Sequence, residues 1–361
     1  MHKLIFDAHL DMAWNALEWN RDLLKPAAEI REFESHFEGI NPGPCTTSWV
    51  ELRKGRVGLS ICTLLPRLHR KDKPLSHYQS READYGCAHG QLAYYRAMSR
   101  RGVLREIPDL AALNEHVAAW EALVPKLQLG NEDELPLGYI LSMEGSPPIL
   151  NPEQIHEWYE AGLRILGPAH YGPSPYCYGT GSEGGLKDNG PALLREMDAA
   201  GMLLDVTHLA DQSFWEALEI FEGPVLASHH NCRALVPGDR QLSDEQIKAL
   251  IERGAVIGAS FDCWMIVPGW KIGVSDPKTV SLEDIANHTD HICQLAGNAK
   301  HCGIGSDLDG GFGKEQTPHD LDTIAELHKL ADVFSRRGYS ANDIEGILYR
   351  NFVEFFRRAW G

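Results

Sequence analysis

The sequence predicts an α/β protein built as a (β/α)8 TIM barrel with long βα rim loops. Three observations predict it. Eight short apolar runs rich in Val, Ile and Leu recur along the 361 residues. Amphipathic segments of helical period separate most of them, the alternation expected of a parallel sheet covered by helices. Six of the eight runs also end in a histidine or an acid, and the C-terminal ends of barrel strands all open onto one face.

Taken in order, the runs are 4–9, 57–65, 137–144, 163–170, 202–208, 224–229, 255–261 and 301–307. Helical patterns occupy 82–101, 109–124, 153–162, 192–201, 211–221, 244–252 and 282–295. Segment 18–55, with its Pro, Gly and charged residues, reads as a long first βα connection, and 171–190, rich in Gly, Pro and Tyr, as a second loop. Segments 321–334 and 341–356 read as closing helices, the second behind Ser340 as its N-cap. With no internal repeat and no clear linker, residues 1–361 are expected to form one catalytic-size barrel domain.

Composition narrows the functions. With 34 Lys plus Arg against 51 Asp plus Glu, the formal charge is −17, a field that opposes binding to nucleic acid or an anionic membrane. The eight cysteines contain no CxxC pair, which disfavours a disulfide scaffold or a cysteine zinc site. The opening MHKLIFDAHLD breaks any apolar signal region, and no window approaches 18 apolar residues. A cytoplasmic protein without membrane or nucleic-acid partners is expected.

The run endings carry the chemistry. His9 and Asp11 lie two apart in Asp7-Ala8-His9-Leu10-Asp11, so in a strand they share a face. Imidazole and carboxylate together suit Zn²⁺ or a similar ion. Alone, such a pair is a common accident; joined to the other run endings it reads as a metal site. Glu144 ends the third run, and a carboxylate can bridge two cations about 3.5–4 Å apart, although a charge there can equally mark emergence into solvent. His170, His208 and His229 end the next three runs; His230 beside the last can orient a ligand or face solvent. In 301–311 two acids stand among four glycines. Asp307, at the run's end, is the better candidate for proton transfer, and Asp309 reads as structural. His288 and His291, in a helical pattern behind Ser281, read as capping or solvent-facing residues.

At these residues the chain resembles the renal, or membrane, dipeptidase family of zinc peptidases. The resemblance runs from Phe6-Asp7-Ala8-His9-Leu10-Asp11 through Ser142-Met143-Glu144-Gly145. It continues in Met197–His208, Ser228-His229 and Gly303–Gly310, and ends at Asn351-Phe352. It implies a metal-dependent hydrolase barrel holding two Zn²⁺ ions, one between His9, Asp11 and Glu144 and the other between Glu144, His208 and His229. By position, His170 matches the histidine that contacts substrate near the reacting carbonyl, and Arg240 matches the arginine that holds its terminal carboxylate. Asp307 matches the acid near the substrate amine and the bridging water. The implied substrate is a dipeptide with free termini, with a D-residue tolerated at its C-terminal position, and the implied assembly is a homodimer.

Three departures stand out. Leu10 replaces the usual Asn between the first ligands, but it is not a ligand. The loop after His170 lacks the usual Asn- and Trp-containing pattern. Asp262 stands where a pocket-lining Tyr is expected, and an acid there favours a basic or amide-bearing substrate. A dizinc amidase or lactone hydrolase, and a non-catalytic metal-stabilised binding barrel, are the competing readings.

Overall fold

The structure is a computed structural model that describes residues 4–37, 43–66, 78–123 and 135–361. Residues 38–42 of the long first connection and residue 124, the last of an expected helix, lie outside the described residues.

Among the described residues nine strands form: β1 Ile5–Leu10, β2 Val57–Leu64, β3 Leu104–Glu106, β4 Leu137–Glu144, β5 Ile165–Gly167, β6 Leu203–Asp205, β7 Val225–Leu226, β8 Ile257–Ala259 and β9 Cys302–Ile304. Their order is β7-β6-β5-β4-β2-β1-β9-β8. A parallel bridge from Ala227 to Ile257 joins the two ends of this path. The eight expected runs are thus the eight strands of a closed parallel barrel. Every residue of β1, β2 and β4 is buried, because the barrel interior covers one face and helices the other; this is why these strands read as unbroken apolar runs rather than alternating ones.

The expectation is corrected in four places. Strands β5 to β9 span only two or three residues, so His170, His208, His229 and Asp307 lie beyond the strands, not at their last positions. β3 was not expected; it pairs with the first residues of β4, at Leu137 to Tyr139, while β5 pairs from Ser142 onward. The first connection contains two helices, Ala27–Glu34 and Trp49–Gly55. The two closing helices are broken: the first begins as a 3₁₀ turn, Ile324–Lys329, and the second contains a π segment, Gly346–Arg350.

Local chemistry accounts for the remaining elements. Ser243 opens its helix with a capping box to Gln246, satisfying two otherwise unpaired backbone donors, and at the start of Leu282–Ala296 the Asp284 carboxylate accepts the Ser281 N–H at 2.8 Å. Ser340 accepts from the Asp343 N–H as expected of an N-cap. The last helix, Asn351–Trp360, is fastened under the barrel. Asn351 donates to the Ala299 and Cys302 carbonyls at 2.7 Å each, and Phe352 and Phe356 stack on Phe6 of β1.

Candidate metal centre

A regular offset assembles the site. His170, His208, His229, Asp262 and Asp307 each stand three residues past the last residue of β5, β6, β7, β8 and β9. His9 lies within β1, Asp11 just after it, and Glu144 ends β4. Between Asp7 and Leu10 the pairing of β1 with β2 slips register, a bulge that re-aims the stretch carrying His9. His208 and Asp307 have left-handed backbones, with φ of 68° and 58°. Non-glycine residues there carry strain of about 1–3 kcal/mol, and such strain clusters at functional sites.

Two buried aspartates lock the turns. Asp7 accepts the Ser306 N–H at 2.9 Å, the Ser306 hydroxyl at 2.5 Å and the His9 N–H at 3.2 Å, tying the ends of β1 and β9 together. Asp205 does the same between β6 and β7, its Oδ1 accepting the Thr207 and Ser228 N–H groups at 3.0 Å each. Asp309 takes the structural part read for it. It accepts the N–H and hydroxyl groups of Thr46 and Thr47 and pairs with Arg21 at 3.1 Å.

The donor atoms then converge. His208 Nε2 and His229 Nε2 lie 3.1 and 3.3 Å from Glu144 Oε1 and 3.2 Å from each other. A tetrahedral ion with bonds of 2.0–2.1 Å has ligand edges of about 3.3–3.4 Å, so these three atoms are spaced as ligands of one cation. On the other side of Glu144, its Oε2 and Asp11 Oδ2 are each 3.7 Å from His9 Nε2, and Asp307 Oδ1 is 3.8 Å away. His170 Nε2 is 3.8 Å from Glu144 Oε2. Overlapping triads such as His9–Glu144–His229 and His9–Asp11–Asp307 also cluster their donors within 4.8 Å; the shortest separations favour placing His208 with His229.

Burial makes this arrangement costly without cations. His9 Nε2, Asp11 Oδ1 and Glu144 Oε1 are buried with no hydrogen-bond partner, where an unmet charged group is expensive. Burial pushes Glu144 up to about 7 and Asp307 well above the usual carboxylate range. Burial alone would lower His9, but the Glu144, Asp11 and Asp307 carboxylates raise it to about 10. Although His208 and His229 lie at ion-pair distance from Glu144, burial and then neighbouring cations, Arg240 among them, hold both well below the ordinary histidine value. Neutral imidazoles present lone pairs, which suits metal ligation. Their Nδ1 atoms are engaged by hydroxyls, Thr180 Oγ1 at 3.0 Å from His208 and Ser228 Oγ at 2.8 Å from His229, the outer contacts that leave Nε2 free for an ion. Two closely spaced His/Glu clusters of this kind suit two divalent ions such as Zn²⁺.

One cavity is lined by Asp11, Glu144, His170, His208, His229 and Asp307, and also by Tyr171, Arg240 and Asp262. Arg240 is 2% exposed. Its Nη2 donates to the His229 carbonyl at 3.2 Å, while Nε and Nη1 have no partner. Asp262 accepts from Trp264 Nε1 at 2.7 Å through Oδ2 and leaves Oδ1 unpartnered. All nine residues singled out in the sequence therefore meet. His288 corrects its expectation: it is buried, with Nδ1 accepting the Cys232 N–H and Nε2 facing the Ile266 carbonyl. His230 is buried as well.

The sequence reading missed Thr180, Asp205, Ser228 and Tyr171. Ser228 was within reach as the neighbour of His229; Thr180 was not, since it stands 28 positions before His208 with a helix and strand β6 between them.

The barrel and its donor set define a metal-dependent hydrolase centre of the dipeptidase type. A family model described as membrane dipeptidase (peptidase family M19) matches residues 1–360, and the chain belongs to that family. Among curated relatives, an uncharacterised protein in the pqqA 5′ region of Klebsiella pneumoniae is 28% identical over 57% of this chain and 76% of its own length. The dipeptidase tcpJ of Claviceps purpurea is 28% identical over 55% of this chain and 45% of its own length. The match thus spans less than half of the latter protein. The fold is similar to that of dipeptidase AC, a metallo peptidase, with a TM-score of 0.77, 22% identity and 99% of each chain covered. It is also similar to a metallo peptidase from Rhodobacter sphaeroides liganded with a phosphinate mimic of L-Ala-D-Ala, with a TM-score of 0.78, 20% identity and 100% of each chain covered. No helix among the described residues is long and apolar enough to cross a membrane.

Proposed function

We propose that the protein, as one catalytic barrel, hydrolyses the peptide bond of dipeptides with both termini free. The observation that carries this reading is Arg240: a buried guanidinium whose Nε and Nη1 are unpartnered shares a cavity with the clustered metal donors. Nη2 gives one of its two hydrogens to the His229 carbonyl; the other, beside an unpartnered Nε–H or Nη1–H, completes a fork that suits a carboxylate held bidentately.

His9, Asp11 and Glu144 would hold one zinc ion, and Glu144, His208 and His229 the other. Bound there, the pair supplies an activated water and polarises the carbonyl under attack. The chain's own groups supply the rest. Arg240 fixes the terminal carboxylate and so sets the distance from chain end to scissile bond, which limits the substrate to two residues. His170, on the cavity wall, donates toward the oxygen on which negative charge develops. Asp307 takes the proton of the attacking water and returns it to the departing amine, a role its burial-raised proton affinity suits.

The eight free thiols support a reducing, cytoplasmic setting, and the family resemblance supports a homodimer. A substrate panel tests the function. Zinc-loaded protein should hydrolyse dipeptides, with L- or D-residues at the C-terminal position, and spare N-acylated amino acids and lactones. The reverse preference would establish the amidase or lactonase reading, and inactivity on every class with both metals bound would leave a binding barrel.

A further inference from the structure

Asp262 is the one acid of the cavity that the metal-centred chemistry does not use. It is 7% exposed, and its Oδ1 meets no partner although it lines the cavity. A structural role would give it a helix to cap, since it stands at the N-cap of Cys263–Ile266. The Trp264 backbone N–H gives its carboxylate some of that support, without closing a cap hydrogen bond. Trp264 anchors it, the indole Nε1 donating to Oδ2 at 2.7 Å and the backbone N–H also favouring the carboxylate, while Oδ1 keeps no hydrogen-bond partner.

Its surroundings say which part of a substrate it meets. Arg240 is the charged residue that bears most on Asp262, and both line the same cavity, so the acid shares its space with the guanidinium read as the carboxylate holder. Arg240 does not neutralise it: the guanidinium keeps Nε and Nη1 unpartnered, and burial outweighs its pull, leaving Asp262 raised to about 7. An open acceptor and an open fork therefore face one cavity without satisfying each other. A ligand that meets both carries a carboxylate and, on the same residue, an N–H donor.

We propose that Asp262 selects dipeptides whose C-terminal residue bears an N–H-donating side chain, an ammonium or a carboxamide. This rests on the dipeptidase reading and on Arg240 as its carboxylate clamp. An apolar side chain of equal length would leave Oδ1 buried and unmet, the situation from which large discrimination arises.

The test uses zinc-loaded protein and compares alanyl-lysine and alanyl-glutamine with alanyl-norleucine as substrates. It also measures binding of free lysine and free norleucine by calorimetry. The expected result is a preference for lysine over norleucine of about tenfold or more, in kcat/KM and in affinity alike. Asp262→Asn, which keeps an oxygen for Trp264, should reduce that ratio to within about threefold. Trp264→Phe, which keeps the carboxylate, should preserve it. Equal binding of lysine and norleucine by the unmodified protein, or a ratio that survives in Asp262→Asn, overturns the assignment. The dipeptidase reading is judged separately: if lysine binds preferentially but no dipeptide is cleaved, that reading and the selection of dipeptides fail together, and Asp262 is left as a site for an N–H-bearing side chain. If alanyl-norleucine is cleaved as well as alanyl-lysine, only the assignment fails.

Discussion

His208 Nε2 and His229 Nε2 lie 3.2 Å apart, and each is within 3.3 Å of the same Glu144 oxygen. Two neutral imidazoles and a carboxylate at such spacing are ligands that face a cation. Their opposite nitrogens are held by Thr180 and Ser228. Outer contacts of this kind are typically worth about 10–100-fold in metal affinity. Thr180→Val and Ser228→Ala should each weaken zinc binding by that factor in competition with a chelating indicator. Unchanged affinity in both variants would show that the hydroxyls do not orient the ligands.

Asp307→Asn is the cleanest probe of proton transfer. Asn tolerates the left-handed φ of 58° that Asp307 adopts, so the turn should survive. Turnover should fall by about 10²–10⁴-fold while metal content stays that of the parent protein. Loss of metal with residual turnover unchanged would instead make Asp307 a ligand.

Arg240→Ala should raise KM for dipeptides by about 10–100-fold, the worth of hydrogen bonds to a charged group, with a smaller change in kcat. Amidating the substrate's carboxylate should cost the parent protein a similar factor and the variant little. If the parent protein is indifferent to amidation, Arg240 does not hold that group.

His288 gives a pH dependence whose sign follows from its bonds. The Cys232 N–H donates to its Nδ1, so that nitrogen must be unprotonated, with Nε2–H given to Ile266. Burial accordingly lowers the group from 6.5 to about 4. A depressed histidine contributes stability that is full above the unfolded value and is lost as pH falls from about 6.5 toward 4. Between pH 6.5 and 5 the loss is about 2 kcal/mol. Urea unfolding of metal-free protein should show this slope, and His288→Gln should lack that part of it; equal slopes would contradict the buried neutral state.

Much of this architecture is legible in the residues themselves. The eight barrel strands announce themselves because covering on both faces demands continuous apolar runs, and the chemistry follows where each run meets its first polar group. Strand lengths are less legible: the runs around His170, His208 and His229 stay apolar past the last paired residue, since the rim turns are buried too. β3 escaped because three residues in Leu104–Glu106 are too few for a period to register. His288 looked exposed beside charged helical neighbours, and only the packing of Cys232 and Ile266 against it reveals otherwise. Thr180 has no local signature at all, because its role depends on a loop folding back over His208.

The central claim is that Glu144 joins two metal ions. Elemental analysis of protein purified without chelator tests it most directly. Two divalent ions per chain, falling to one or fewer in Glu144→Gln, is the predicted result. One ion or none per chain in the parent protein, or two retained after the substitution, would contradict it.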